Sequence, residues 1–447
     1  MNKIKEPSVA NTFYTGNVED LKLHIENFKE TSKNLYRYAT RAVIVPHAGL
    51  VYSGRLAYEG ISQIDKNVKN IFIFAPSHRV GFDGIAISSY DGWKTPLGVS
   101  EVNFDICKEL SEKFGANIND EAMTAEHSIE VELPIIQSLF EGVKIVPVLI
   151  GKEDPAKIME IIEYYYKNSE NAFVISSDLS HFLSDEKAKA ADKITAQMIE
   201  TGNIAGFKYE QACGAVGVTG LVAFANKNKF SMIRIDLANS SEISEDTSRV
   251  VGYGCWFLYE GNKNDFIAKY HAGFTIDICK LIIRSEFDEE PMSIIYPQVF
   301  DQLGACFVTI EKNGHLRGCI GSIVAYRALI TDLVEHAKDA AFKDTRFSPV
   351  KEEELPDLKF AVSILTDPKK IVFENEDQLM EKIVPNEDGI IIRDGDLQAV
   401  YLPSVWAEIP DKKEFMKSLK LKAGMEENHF SDTFEAFKFH TIYIKER

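Results

Sequence analysis

The sequence predicts an α/β unit with a mostly parallel sheet flanked by helices, followed by a smaller α+β unit with antiparallel hairpins. Through about residue 260, short β-branched and aromatic runs alternate with amphipathic stretches, as strands and crossover helices do. Several of these runs stop at polar, ligand-capable residues, as the carboxyl ends of parallel strands do in open α/β sheets. Beyond the polar run 261–265 the grammar changes, and Asn313-Gly314 and Asp394-Gly395 mark tight hairpin turns. Two domains, 1–261 and 262–447, follow from that change.

In order, 20–29 reads as a helix and Phe13-Tyr14 as a packing anchor ahead of the first strand, 42–45. That strand ends at Pro46, which cannot donate to a ladder, and places His47 at the strand end, beside small Ala48 and Gly49. A helix over 55–63 leads to a strand over 68–74 that ends at Pro76-Ser77-His78. An apolar alternating segment over 81–89 precedes a Gly/Pro loop over 91–98, of the kind that lines sites. Helices are expected over 104–114 and 127–139, the second holding His127 within contact spacing of Glu126 and Glu130. A strand over 143–150, a crossover helix over 158–167 and the run 173–175 lead to Asp178 and His181. After a helix over 187–200 comes a glycine-rich entry into an apolar helix, 212–220. It is not G-x-G-x-x-G and does not follow a suitable strand, which excludes a dinucleotide reading. Placed at that helix start, Cys213 is expected to have a lowered thiol pKa. Strands over 232–237 and 250–259 close the unit. In the second unit, helices are expected over 267–285, 328–342 and 412–419. Strands are expected over 306–310, 316–320, 357–365, 389–393, 397–401 and 437–444.

Composition narrows the function. With 45% hydrophobic and 26% charged residues the chain is ordinary globular material, and no apolar run approaches the roughly 20 residues of a membrane span. The N-terminus lacks the apolar core of a signal peptide, so the expected location is the cytoplasm. A net charge of −18 without a basic stripe speaks against nucleic acid and for small molecules or protein partners. The six cysteines form no C-x-x-C pair, and reduced thiols are expected.

Two imidazoles and one anionic ligand with open positions make the facial arrangement of non-haem iron sites, and a spare histidine can move protons. His47, His78, His127 and His181 are the candidate imidazoles, and Cys213 is the candidate anionic ligand. Asp178 is either the cap of the following helix or a residue that orients a histidine. The combination VPHAG, PSH, AEHSIE, SSDLSH and the CG-initiated helix resembles the Memo family, protein B of the AmmeMemoRadiSam system, over about 6–260. That family is similar to class III extradiol dioxygenases, whose iron is held by two histidines and a glutamate. The resemblance implies a dioxygenase-like fold and Fe(II), with copper as the alternative metal. It implies His47 and His78 as the ligand histidines, Cys213 as the third ligand, His181 as the acid/base histidine and a site role for His127. A cysteine in place of the carboxylate departs from the dioxygenase pattern and speaks against ring cleavage.

In the second unit, LRGCIG (316–321) sets two glycines around Cys319, which weakens a strand unless a ligand or another backbone comes close. Arg317 would provide an anion-binding fork and stabilise a thiolate at Cys319. A bulge at Gly318 or Gly321 is expected to let Arg317 and Cys319 serve one pocket. LRGCIG, AAFKDTRFSPV and YLPSVW resemble the AMMECR family, protein A of the same system, over about 268–443. The two resemblances imply a fused metal-dependent oxidoreductase acting on a small, aromatic molecule. They also imply a radical S-adenosylmethionine protein as partner, on a separate chain because this one lacks the C-x-x-x-C-x-x-C motif. The alternative is a non-catalytic metal-binding and protein-interaction module.

Overall fold

The computed structural model describes residues 3–32, 38–288 and 294–446. It divides into two compact units. One runs to Lys263 and takes in Pro297–Val299; the other holds Asn264–Tyr296 and Phe300 onward.

The first unit is built on strands β1 (Ala42–Val45), β2 (Asn70–Pro76), β3 (Ile85–Ile87), β4 (Asn117–Ile118), β5 (Lys144–Ile150), β6 (Asn171–Ser176), β7 (His181–Leu183), β8 (Ser231–Asn239) and β9 (Val250–Tyr259). They form one sheet in the order β7-β9-β1-β6-β2-β5-β3-β4, with β8 paired to β9. The central four, β1, β6, β2 and β5, are parallel. They are buried on both faces apart from Lys144, as their unbroken apolar runs demand. Antiparallel pairs flank them, β9 against β1 and β3 against β5. Because Val45 is level with Ser176, their loops leave the sheet together and carry His47 and Asp178 two residues further on. His78 stands at the same offset from Pro76 at the end of β2.

Three expectations change here. The stretch 91–98 is mostly a hairpin, Gly92–Thr95 against Gly98–Glu101, and Ile4–Lys5 adds to it in parallel. The segment 81–89 keeps strand geometry only over β3. The helix expected over 127–139 resolves into a 3₁₀ turn, Glu130–Glu132, and a helix, Leu133–Leu139. Pro134 fits only the first turn of a helix. The Glu126 carboxylate also accepts the N–H groups of His127 (2.9 Å) and Ser128 (3.1 Å), which holds that segment as a loop.

The second unit contains β10 (Ala305–Lys312), β11 (His315–Gly321), β12 (Leu358–Leu365), β13 (Lys369–Lys370), β14 (Gly389–Asp394), β15 (Leu397–Tyr401), β16 (Glu435–Phe439) and β17 (Thr441–Lys445). Two four-stranded sheets result, β11-β10-β12-β17 and β13-β16-β14-β15, with every pairing antiparallel. Asn313 and Gly314 both adopt positive φ in the β10–β11 turn, as a two-residue hairpin loop requires. The single strand expected over 437–444 is in fact β16 and β17, broken at His440. There the backbone leaves both ladders: His440 N–H donates to Thr366 Oγ1 (2.9 Å) and Thr366 N–H to the His440 carbonyl (2.9 Å). Ala305, Leu365, Ile391 and Phe439 pack as one buried cluster drawn from both sheets. A helix, Lys263–Ser285, opens the unit and kinks at His271. Among the described residues no helix is long and apolar enough to cross a membrane.

Candidate metal centre

His47, His78 and His127 come together beyond the carboxyl ends of the parallel strands. One ligand atom from each lies within 4.8 Å of the others. Their ring centroids are 5.2 Å (His47–His78), 5.5 Å (His47–His127) and 4.8 Å (His78–His127) apart. In each ring the Nδ1 edge faces a protein partner. Ser176 Oγ is 2.7 Å from His47 Nδ1, and Glu126 Oε1 is 2.9 Å from His78 Nδ1. The same oxygen is 3.0 Å from His127 Nδ1, in ion-pair range but outside hydrogen-bond geometry. With Nδ1 hydrogen-bonded in His47 and His78, their Nε2 lone pairs are left for an ion, the tautomer that carboxylate and hydroxyl partners impose on ligand histidines.

Electrostatics favour a neutral imidazole at His47. Burial holds His47 well below the ordinary histidine value, and the neighbouring rings of His78 and His127 push the same way. For Glu126 burial works upward, but the His127 and His78 rings and the His78 N–H outweigh it, so the carboxyl stays far below its usual range. Glu132 behaves oppositely: burial raises it well above 4.5, and it reaches Ser176 Oγ at 3.1 Å. Ser176 also donates to the Ser128 carbonyl at 2.7 Å, so a protonated Glu132 completes its bonding.

Cys213 lies against this group rather than within it, with Sγ 3.3 Å from His47 Nε2. The sulfur accepts the Asp178 N–H at 3.3 Å. Its expected low pKa does not hold. Burial pushes the thiol up, Asp178 adds to that, and the nearby N–H groups do not compensate. A cation held by these residues would reverse this balance by favouring the thiolate. Asp178 caps no helix; Ser184 precedes the next one. Its Oδ1 instead accepts the His47 N–H at 2.8 Å, so it positions the loop that presents His47. His181 is not one of the three clustered rings; it is half-buried in β7 beside Phe182, near enough for its charge to act on His47 and Asp178. Glu130 turns away: it accepts from Lys5 Nζ (2.7 Å), Ser8 Oγ (2.7 Å) and Tyr14 Oη (2.8 Å), tying down the N-terminal segment. That segment in turn places Phe13 on His127, centroids 4.5 Å apart. Sequence reasoning missed the second row of residues, Ser176, Ser128 and Glu132. The one legible trace of it was Glu126, adjacent to His127.

In the second unit the expected bulge exists, and the extra residue is Arg317. Leu316 pairs with Glu311 and Gly318 with Ile310. The bulge does not bring Arg317 to Cys319. The guanidinium is bound by Glu354 at 3.0 and 3.2 Å, and Glu354, drawn down to about 2 chiefly by Arg317 and Lys312, holds it there. The cation beside Cys319 is Arg346. It donates to the Cys319 carbonyl (3.1 Å) and to Asp344 Oδ2 (2.7 Å), while the Cys319 N–H donates to that same Asp344 oxygen (2.9 Å). Cys319 and Arg346 line one wide groove with Tyr401 and Lys422. The other five cysteines are buried.

The profile of the family described as Memo-like protein matches residues 5–257, more than half of the chain. The chain belongs to the Memo-like family. A second profile, AMMECR1, matches residues 276–444, so both kinds of domain occur in one polypeptide. A MEMO1 family protein of Aquifex aeolicus is 30% identical over 271 residues, covering 57% of this chain and 100% of the relative. MEMO1 family protein Ta0237 of Thermoplasma acidophilum is 29% identical over 259 residues, covering 56% and 96%. The crystal structure of the uncharacterized protein PH0010 from Pyrococcus horikoshii is 27% identical, covering 38% of this chain and 88% of that one with a TM-score of 0.36. His47, His78, His127 and Cys213 all fall inside the Memo-like match, and Cys319 and Arg346 inside the AMMECR1 match.

Proposed function

We propose that the Memo-like unit is a metal-dependent oxidoreductase that acts on a small, aromatic molecule. Iron(II) is the first choice of metal and copper the second. The observation that carries this reading is the convergence of three imidazoles, with Nδ1 edges facing protein partners and a buried thiol 3.3 Å from one Nε2. The donor set fits such an ion: neutral imidazole suits iron and copper alike, and a cysteine sulfur adds the anionic ligand. His47, His78 and His127 hold the ion, and Cys213 joins from the His47 side. A redox-active metal held by these residues would supply electron-transfer chemistry toward a substrate. Asp178 fixes the His47 loop, Glu126 fixes two ring orientations, and His181 moves a proton to or from the substrate. The AMMECR1 unit assists through the groove of Cys319 and Arg346, and Arg317 supports that strand through Glu354. A radical S-adenosylmethionine protein acts as a separate partner in the cytoplasm.

A second reading, a non-catalytic metal-binding and interaction module, draws on one observation: His47 is 1% and Cys213 6% exposed, which suits retention of an ion. One experiment separates the two. Protein purified without oxygen is assayed for bound iron and copper, and for oxygen consumption with catechol-like and indole-like aromatics. His47→Ala and His78→Ala lose stoichiometric metal, and His127→Ala weakens its retention. His181→Ala keeps the metal and loses about 10²- to 10⁴-fold in turnover. Unchanged metal in both the His47 and His78 variants removes the metal site. Full metal without turnover on any aromatic leaves the binding module.

A further inference from the structure

A cavity of about 500 Å³ opens beside Cys213, in the range of roughly 300–1,000 Å³ that takes a small organic ligand. None of the histidines lines it, but it shares Cys213 with the centre and takes in Ser77, the neighbour of His78. Phe74, Pro76, Val80, Phe82, Ile150 and Val216 make an apolar body. The wall is rigid where it matters, because a Cβ on Gly151 would stand 2.2 Å from the Phe82 carbonyl oxygen, so the loop is pressed onto that strand end. Asp83 and Lys152 also line the cavity, and both are exposed. Their backbones pair in a parallel bridge, which sets the two side chains next to each other, yet no ion pair within 4 Å joins them. One cation and one anion thus stand side by side, both exposed, on the lining of a cavity that Cys213 also lines.

We propose that this cavity takes an aromatic α-amino acid. The ring fills the apolar body toward Cys213, the ammonium group meets Asp83 and the carboxylate meets Lys152. A zwitterionic head group is the ligand chemistry that satisfies both charges at once, and a flat ring is what a body of phenylalanine, proline and branched aliphatic side chains encloses. The inference rests on the oxidoreductase reading for what then happens to the ring. Occupancy of the cavity does not depend on it.

Calorimetric titration of the full chain with L-tryptophan and L-tyrosine tests it, with indole-3-propionate as the probe that keeps ring and carboxylate but lacks the ammonium group. At least one amino acid binds saturably, and for the tryptophan frame the propionate binds three- to fivefold more weakly, the scale of one exposed ion pair. Val216→Trp, which fills the cavity from a half-exposed helix position, abolishes binding and leaves metal content unchanged. Asp83→Ala and Lys152→Ala, at exposed loop positions that do not threaten folding, each weaken binding by the same three- to fivefold. Absence of saturable binding by both amino acids overturns the proposal. So does equal affinity for the propionate, or binding that survives Val216→Trp in folded protein. If binding follows the expected pattern while no turnover is found, the oxidoreductase reading falls and the cavity assignment stands.

Discussion

Glu126 concentrates the residue-level chemistry of the first unit. It is fully buried, yet its two oxygens take the backbone N–H of His78, His127 and Ser128 and face two imidazole Nδ1 atoms. A carboxylate so placed orients the rings and raises their basicity toward a metal. Glu126→Gln keeps the shape and removes the charge, so metal affinity falls by about 10- to 100-fold, as chelator competition measures. Unchanged affinity would reduce Glu126 to a loop fastener. The cysteines of the β10–β11 hairpin offer a second contrast. Cys306 is fully buried, which pushes its thiol well up, whereas Cys319 is half-buried beside the groove. Cys319 therefore reacts with a thiol probe faster than Cys306, read by mass spectrometry at limiting reagent. Equal, slow labelling would return Cys319 to the core.

At the scale of elements, the strand end at 45 was legible, and those at 76 and 176 to within two residues, because buried parallel strands read as unbroken apolar runs. A proline or polar residue then stops them. The loop that carries His127 reads as helix in the sequence because its apolar spacing suits one; Pro134, which fits only a first turn, and the Glu126 carboxylate on the His127 and Ser128 N–H groups oppose it. The two glycines of LRGCIG were read as places of close backbone approach, and that is their use. A Cβ on Gly318 would lie 2.0 Å from the Ala340 carbonyl oxygen in the helix Leu329–Phe342, and one on Gly321 would lie 2.5 Å from the Cys306 carbonyl oxygen. Gly318→Ala consequently forces strand and helix apart and destabilises the second unit by about 1–3 kcal/mol, the cost of overpacking. A melting temperature equal to that of wild type would show that β11 can shift freely.

For the molecule as a whole, His271 at the helix kink sets one response to pH. Burial lowers its pKa from 6.5 to about 4. Below 6.5 the unfolded chain takes up a proton that the folded unit refuses. The stabilising effect of the neutral ring is therefore complete above 6.5 and is lost as pH falls toward 4. Urea midpoints of wild type drop across that window, and the drop is smaller in His271→Leu. An identical pH dependence in the two proteins would place the effect elsewhere. The charge of −18 is a property of the entire chain and bears on partners rather than on either fold.

Local pattern by itself determined the two-unit plan, the central parallel strands, the hairpin turn at Asn313-Gly314, and the presence of His47, His78 and Asp178 at strand ends; the turn read at Asp394-Gly395 lies one residue on, at Gly395-Asp396. These features depend on periodicity, turn chemistry and where apolar runs stop, all written within a few neighbouring residues. Tertiary structure alone decided which side chains meet. Glu126 rather than Glu130 faces the rings, Arg346 rather than Arg317 attends Cys319, and His440 divides one apparent strand between two sheets. Each of those outcomes turns on contacts across tens of residues. A hydrogen bond from His47 to Asp178, 131 positions away, leaves no trace in the spacing of either segment.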